Sequence, residues 1–257
     1  MEIVLLTALG VGGATVLGSA LGFIFKKLTH KFSDIVLSFA AGIMFCAAVV
    51  GLVIPSIEFG NEQFGGYWGL LCAVVGIILG SVFVHLLDRF VPHVHKMLGT
   101  DSDGHDKTKL SKVILFVLAI AIHNLPEGLA AGVGFGSGNT TQALIIAGGI
   151  ALQNIPEGIV IIGPMLAAGV SKGKTFLMAL ITGLVEVVGT LIGYFAASAS
   201  GYVLPFALAF AGGTMIYIIS DEMIPETHGH GNGSERAATF ALIIGFCVML
   251  IMDVLLG

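Results

Sequence analysis

The chain has 257 residues, of which 56% are hydrophobic and only 11% charged, with a formal net charge of −5 and a mean hydropathy of +1.01. Soluble globular domains carry about 25% charged residues, so composition excludes an ordinary soluble domain. With 11 Lys and Arg in all, no basic face for nucleic acid can be assembled either.

Runs of about 20 apolar residues, enough to cross a hydrocarbon core about 30 Å thick, predict eight membrane helices. They lie near 3–25, 34–54, 67–88, 113–135, 142–166, 175–197, 203–224 and 237–256. Continuous runs of this kind set aside a β-barrel, whose strands would alternate. The first run lacks a basic start and a small-residue cleavage site, and it reads as a helix that stays. Together the runs predict an all-α polytopic protein forming one transmembrane domain over residues 1–257 in a plasma or bacterial inner membrane.

The second run holds Met44 and reaches Ile54-Pro55; Glu58 and Glu62 then fall in a connection. The third is followed by a loop, about 89–112, containing His93, His95 and His105 with Asp101, Asp103 and Asp106. That loop reads either as a weak metal-receiving surface or as an ordinary solvated segment.

The fourth run contains His123-Asn124-Leu125-Pro126-Glu127-Gly128, and the fifth contains a near-copy, Gln153-Asn154-Ile155-Pro156-Glu157-Gly158. Helix six adds Glu186 at the centre of its run. A carboxylate at bilayer depth costs roughly 2.5–3.5 kcal/mol even on the lenient insertion scale, so these groups must face one another or a wet cavity. The apolar runs offer no Lys or Arg as a partner; metal ions or protons must meet the charge. His123 and Glu127 are four apart, as are Gln153 and Glu157, so each pair projects from one helix face. Pro126 and Pro156 each remove a backbone donor, freeing the carbonyls of Ile122 and Leu152 beside those ligands. Oxygen and imidazole donors suit Zn²⁺, Cd²⁺, Fe²⁺ or Mn²⁺.

Gly132, Gly134, Gly136 and Gly138 at the end of helix four read as a flexible connection, whereas Gly18/Gly22 and Gly189/Gly193 read as close-packing spacings. Cys46, Cys72 and Cys247 read as small core residues rather than disulfides. The seventh run repeats the second: LSFAAGIMF at 37–45 matches LAFAGGTMI at 208–216, pairing Met44 with Met215, and both reach an Ile-Pro pair. Asp221, Glu222 and Glu226 close helix seven near His228 and His230, and Asp253 nears the end of helix eight.

Every Lys and Arg falls in alternate connections, after helices one, three, five and seven. The positive-inside rule makes those loops cytoplasmic and places both termini outside. Helices two and seven then run in opposite senses, the mark of an inverted repeat and a transporter device.

The HNxPEG motif, its echo in helix five, the Glu of helix six and the eight-helix topology resemble the ZIP family of metal transporters. The resemblance implies a three-two-three helix arrangement, transport of divalent metal (Zn²⁺ foremost) towards the cytosol by alternating access, and frequent homodimers. It also implies a binuclear site. His123, Glu127, Gln153 and Glu157 surround one metal, with Met44 in reach; Asn124, Asn154, Glu157 and Glu186 surround the other. Glu157 bridges. Metal is then cargo rather than cofactor. Gln153 stands where many members have His, which implies a broader metal range. The alternative is an intramembrane zinc-dependent hydrolase, although no HExxH is present and such enzymes hold Zn²⁺ with about three fixed ligands.

Overall fold

A computed structural model describes residues 1–24, 29–90, 122–167, 169–229 and 233–256. The described residues form eight helices in chain order. Helix α1 spans Glu2–Gly22. Helix α2 runs from His30 to Phe64, passing from α-helix (His30–Cys46) through a π-helical stretch (Ala47–Val53) to α-helix again (Ile54–Phe64). Helix α3 is Trp68–Phe90 and α4 covers residues 122–136. Helices α5 and α6 are Thr140–Ala167 and Lys172–Ser198. Helix α7 repeats the pattern of α2: α-helix (Leu204–Ile218), π-helix (Ile219–Met223), α-helix (Ile224–His228). Helix α8 is Glu235–Leu256. Among the described residues seven helices are long and apolar enough to cross a membrane; α4, as described, is shorter than these. The His-rich loop of 91–112, together with His230, lies outside the described residues.

Three expectations need correction. Pro55 does not end α2. It sits in the first turn of the next helical stretch, where its missing N–H costs nothing, and Glu58 and Glu62 are therefore exposed residues on the helix rather than in a connection. Helix α7 likewise continues past Pro225, carrying Glu226 and His228 with it. The turn to α3 falls later, at Gly65 and Gly66, whose φ angles of 74° and 56° suit only glycine.

The second correction concerns Gly132 and Gly136, which lie within α4. A Cβ on either would overlap Thr190 or Ala197 of α6, so they let two backbones touch; Gly138 alone of the four, with φ 77°, makes the turn. Third, only Cys46 is a core residue: Cys72 is half-buried and Cys247 exposed, and all three are free thiols.

Glycine contacts sort the helices into two groups. Gly12 meets Gly183, Gly18 meets Ile155, and Gly128 and Gly132 meet Glu186 and Thr190, each against backbone. These contacts join α1, α4, α5 and α6. Gly42 meets Leu242, Gly245 meets Phe39, and Gly80 and Gly213 meet Phe210 and Ile77, again against backbone, joining α2, α8, α3 and α7. Between the groups, the contacts at Gly149 and Gly51 are with the side chains of Met249 and Ile146. Helix α7 runs antiparallel to α2: Gly212 faces Ala48 and Leu52, while the Ser56 hydroxyl donates to the Pro205 carbonyl at 2.7 Å.

Candidate metal centre

The two Pro-Glu-Gly motifs lie inside one four-helix group, and their glycines explain how. A Cβ on Gly128 would overlap the backbone carbonyl of Glu186, and one on Gly158 the carbonyl of Thr15. The bare glycines thus draw α4 onto α6 and α5 onto α1 at the level of the polar residues. Helices α4 and α5 pass through Pro126 and Pro156 without a break.

Glu186 is completely buried and held by three donors. The Thr15 hydroxyl of α1 and the Asn124 amide of α4 both donate to Oε1, the former at 2.6 Å. The Asn154 amide of α5 donates to Oε2 at 2.7 Å and also to the Val11 carbonyl at 3.3 Å. Hydrogen bonds to an ionised acceptor contribute roughly 1.5–3 kcal/mol each, and this carboxylate is served from three helices at once.

The other buried groups are treated differently. Glu127 and Gln153 are both 0% exposed and lie beside each other, with Glu157 and Glu186 as the acidic neighbours of Glu127. Yet among the described residues no well-formed hydrogen bond reaches either oxygen of Glu127, either polar atom of the Gln153 amide beside it, Oδ1 of Asn154 or Oε1 of Glu157. Buried polar atoms normally find one. A cluster of acceptor oxygens left open, close to carboxylate charge, is suited to receiving a cation. Glu157 also lies within electrostatic reach of His123.

His123 stands at the accessible edge. Its side chain is 29% exposed and its Nε2 contacts Oε2 of Glu222 from α7. Met44 is buried, at 1% exposure, in the apolar core that also holds Met215. Among the described residues no three His, Cys, Asp or Glu side chains are drawn together tightly enough to cage an ion; amide oxygens would have to complete any shell.

The sequence profile of the family described as ZIP Zinc transporter matches residues 99–253. The chain is 40% identical over 254 residues to zinc transporter GufA of Myxococcus xanthus, covering 98% of each chain. It is 36% identical over 245 residues to zinc transporter ZIPB of Bordetella bronchiseptica, covering 95% of this chain and 78% of that one. It is 34% identical over 328 aligned positions to zinc transporter ZIP11 of Xenopus tropicalis, covering 98% and 97%. The chain belongs to the ZIP family. As a ZIP protein it is a multi-pass membrane transporter of divalent metal and not an enzyme; these relatives give the hydrolase alternative no support.

The sequence of this ZIP chain gives no sign of Thr15 at the centre and places Glu222 only at the exit end of α7. Thr15 is one of many hydroxyls in apolar runs, with only its register on α1 to mark it. Glu222 was expected near the end of α7, but not on His123.

Proposed function

We propose that the protein carries divalent cations, Zn²⁺ foremost and Cd²⁺, Fe²⁺ or Mn²⁺ also, into the cytosol through two adjoining positions that share Glu157. His123, Glu127, Gln153 and Glu157, with Met44 in reach, serve one position; Asn124, Asn154, Glu157 and Glu186 serve the other. The metal is cargo, and no resident cofactor takes part. The observation that carries this reading is the set of buried oxygens on Glu127, Gln153, Asn154 and Glu157 that no well-formed hydrogen bond reaches among the described residues. Their desolvation is offset only if something positive arrives.

The two helix groups support a reading of alternating access. Every proposed oxygen or nitrogen ligand belongs to α4, α5 or α6, while the antiparallel pair α2 and α7 lies in the other group. Moving one group against the other carries the ions without dismantling their ligands. Two copies per assembly, which the family resemblance suggests, complete the proposal; light scattering of the purified protein reads that number directly.

The test is uptake of radioactive Zn²⁺ by proteoliposomes containing His123→Ala or Glu157→Ala, each first checked for folding. Both variants are expected to lose uptake, and wild-type rates in a folded variant would remove the reading. Saturation with a bounded turnover identifies a carrier rather than a channel.

A further inference from the structure

Helix α1 contributes none of the proposed ligands, yet it is fixed to the centre more firmly than its apolar sequence suggests. Gly12 and Gly18 rest on the backbones of α6 and α5. The Ser19 hydroxyl donates to the Gly158 carbonyl at 3.2 Å, and Asn154 donates to the Val11 carbonyl. Between these anchors Thr15, only 2% exposed, places its hydroxyl 2.6 Å from Oε1 of Glu186.

An ionised carboxylate has about four acceptor positions, two on each oxygen. Thr15 and Asn124 use both on Oε1, and Asn154 uses one on Oε2. The position left over is on Oε2. A metal can therefore take Glu186 through Oε2 alone while the other contacts stay in place.

We propose that Thr15 is a positioning residue for metal capture: from α1 it holds Oε1 of Glu186, so that the carboxylate meets the ion through one predetermined oxygen. This rests on the reading of Glu186 as a ligand of the second position. Outer partners that orient a ligating side chain typically cost about 10- to 100-fold in metal affinity when removed. Thr15→Val keeps the branched shape and deletes the hydroxyl, whereas Thr15→Ser keeps the hydroxyl.

The experiment is calorimetric titration of the purified full-length protein with Zn²⁺, with the melting temperature measured in parallel. The wild type is expected to bind in two steps. In Thr15→Val one step weakens about tenfold and the other stays put, Thr15→Ser recovers most of the loss, and Glu186→Ala lacks the step that Thr15→Val weakens. Should Thr15→Val fail to fold, Thr15→Ala replaces it. Two steps both unmoved in the hydroxyl-free variant overturn the proposal. So does equal weakening of both steps with a lowered melting temperature, which would make Thr15 a packing residue only. A wild type that binds a single ion instead overturns the binuclear reading itself.

Discussion

Nε2 of His123 on α4 lies against Oε2 of Glu222 on α7, so the imidazole expected to ligate metal is engaged by a carboxylate of the opposite helix group. The contact gives His123 a second occupation: it can serve the ion or Glu222. Replacing Glu222 by Gln keeps an acceptor but removes its charge, weakening the contact by about 1 kcal/mol. The expected result in proteoliposomes is a lower KM for Zn²⁺, by several-fold, together with a lower Vmax as the ion leaves a better-filled site more slowly. An unchanged KM would show that Glu222 does not compete with metal for His123.

Glu127 offers a contrast between stability and function. Its carboxylate is completely buried beside Gln153, Glu157 and Glu186, and a charged acid at this depth costs the metal-free protein up to roughly 2.5–3.5 kcal/mol. Glu127→Gln keeps the shape and removes the charge. It should raise the melting temperature of the metal-free protein, erase the stabilisation that added Zn²⁺ gives the wild type, and abolish uptake. A variant that stays as metal-stabilised as the wild type would show that Glu127 is not a ligand.

Gly128→Ala tests whether the glycine of the motif is a matter of space. The added Cβ would collide with the carbonyl of Glu186, and backbone cannot move aside as a side chain can. Overpacking of this kind costs about 1–3 kcal/mol. Both melting temperature and Zn²⁺ affinity are expected to fall, since the displaced residue is itself a proposed ligand. Alanine at Gly10, which has open space around it, should lower neither.

Gln153→His asks how the single imidazole shapes metal choice. Gln153 is fully buried beside Glu127, and a second imidazole there favours Zn²⁺ over the harder Mn²⁺. Competition of unlabelled metals against radioactive Zn²⁺ should show weaker inhibition by Mn²⁺ in the variant. Equal competition in both proteins would locate selectivity elsewhere.

Much of this was readable from residues alone, because a membrane forces polar groups to declare themselves. The two Pro-Glu-Gly motifs and Glu186 stood out as charges without counter-charges, and the structure brings Asn124, Asn154 and Glu186 into direct contact. The kinship of helices two and seven goes further than the repeat suggested, since in each a π-helical stretch ends at the Ile-Pro pair. Helix ends were misjudged because Pro55 and Pro225 look like stops but sit where a helix tolerates proline. Cys247 was misplaced because lipid is as apolar as a protein core, so hydropathy cannot tell an outward face from an inward one. Gly132 and Gly136 were misread for a related reason: only the neighbouring backbone shows whether a glycine is there to bend or to touch.

The contrast between backbone contacts within each helix group and side-chain contacts between them bears on friction. A carbonyl seated on a glycine cannot slide without a clash, so these contacts resist sliding within each group. The thioether of Met249, which meets Gly149 across the boundary, is unbranched and re-forms its contacts readily. If the two groups move against each other as proposed, this boundary is where they slip, and His123–Glu222 at one place and Gln142–Asp253, at 2.7 Å, at another would act on it as latches. Its resistance to sliding should therefore depend more on those two polar contacts than on the apolar area between the groups.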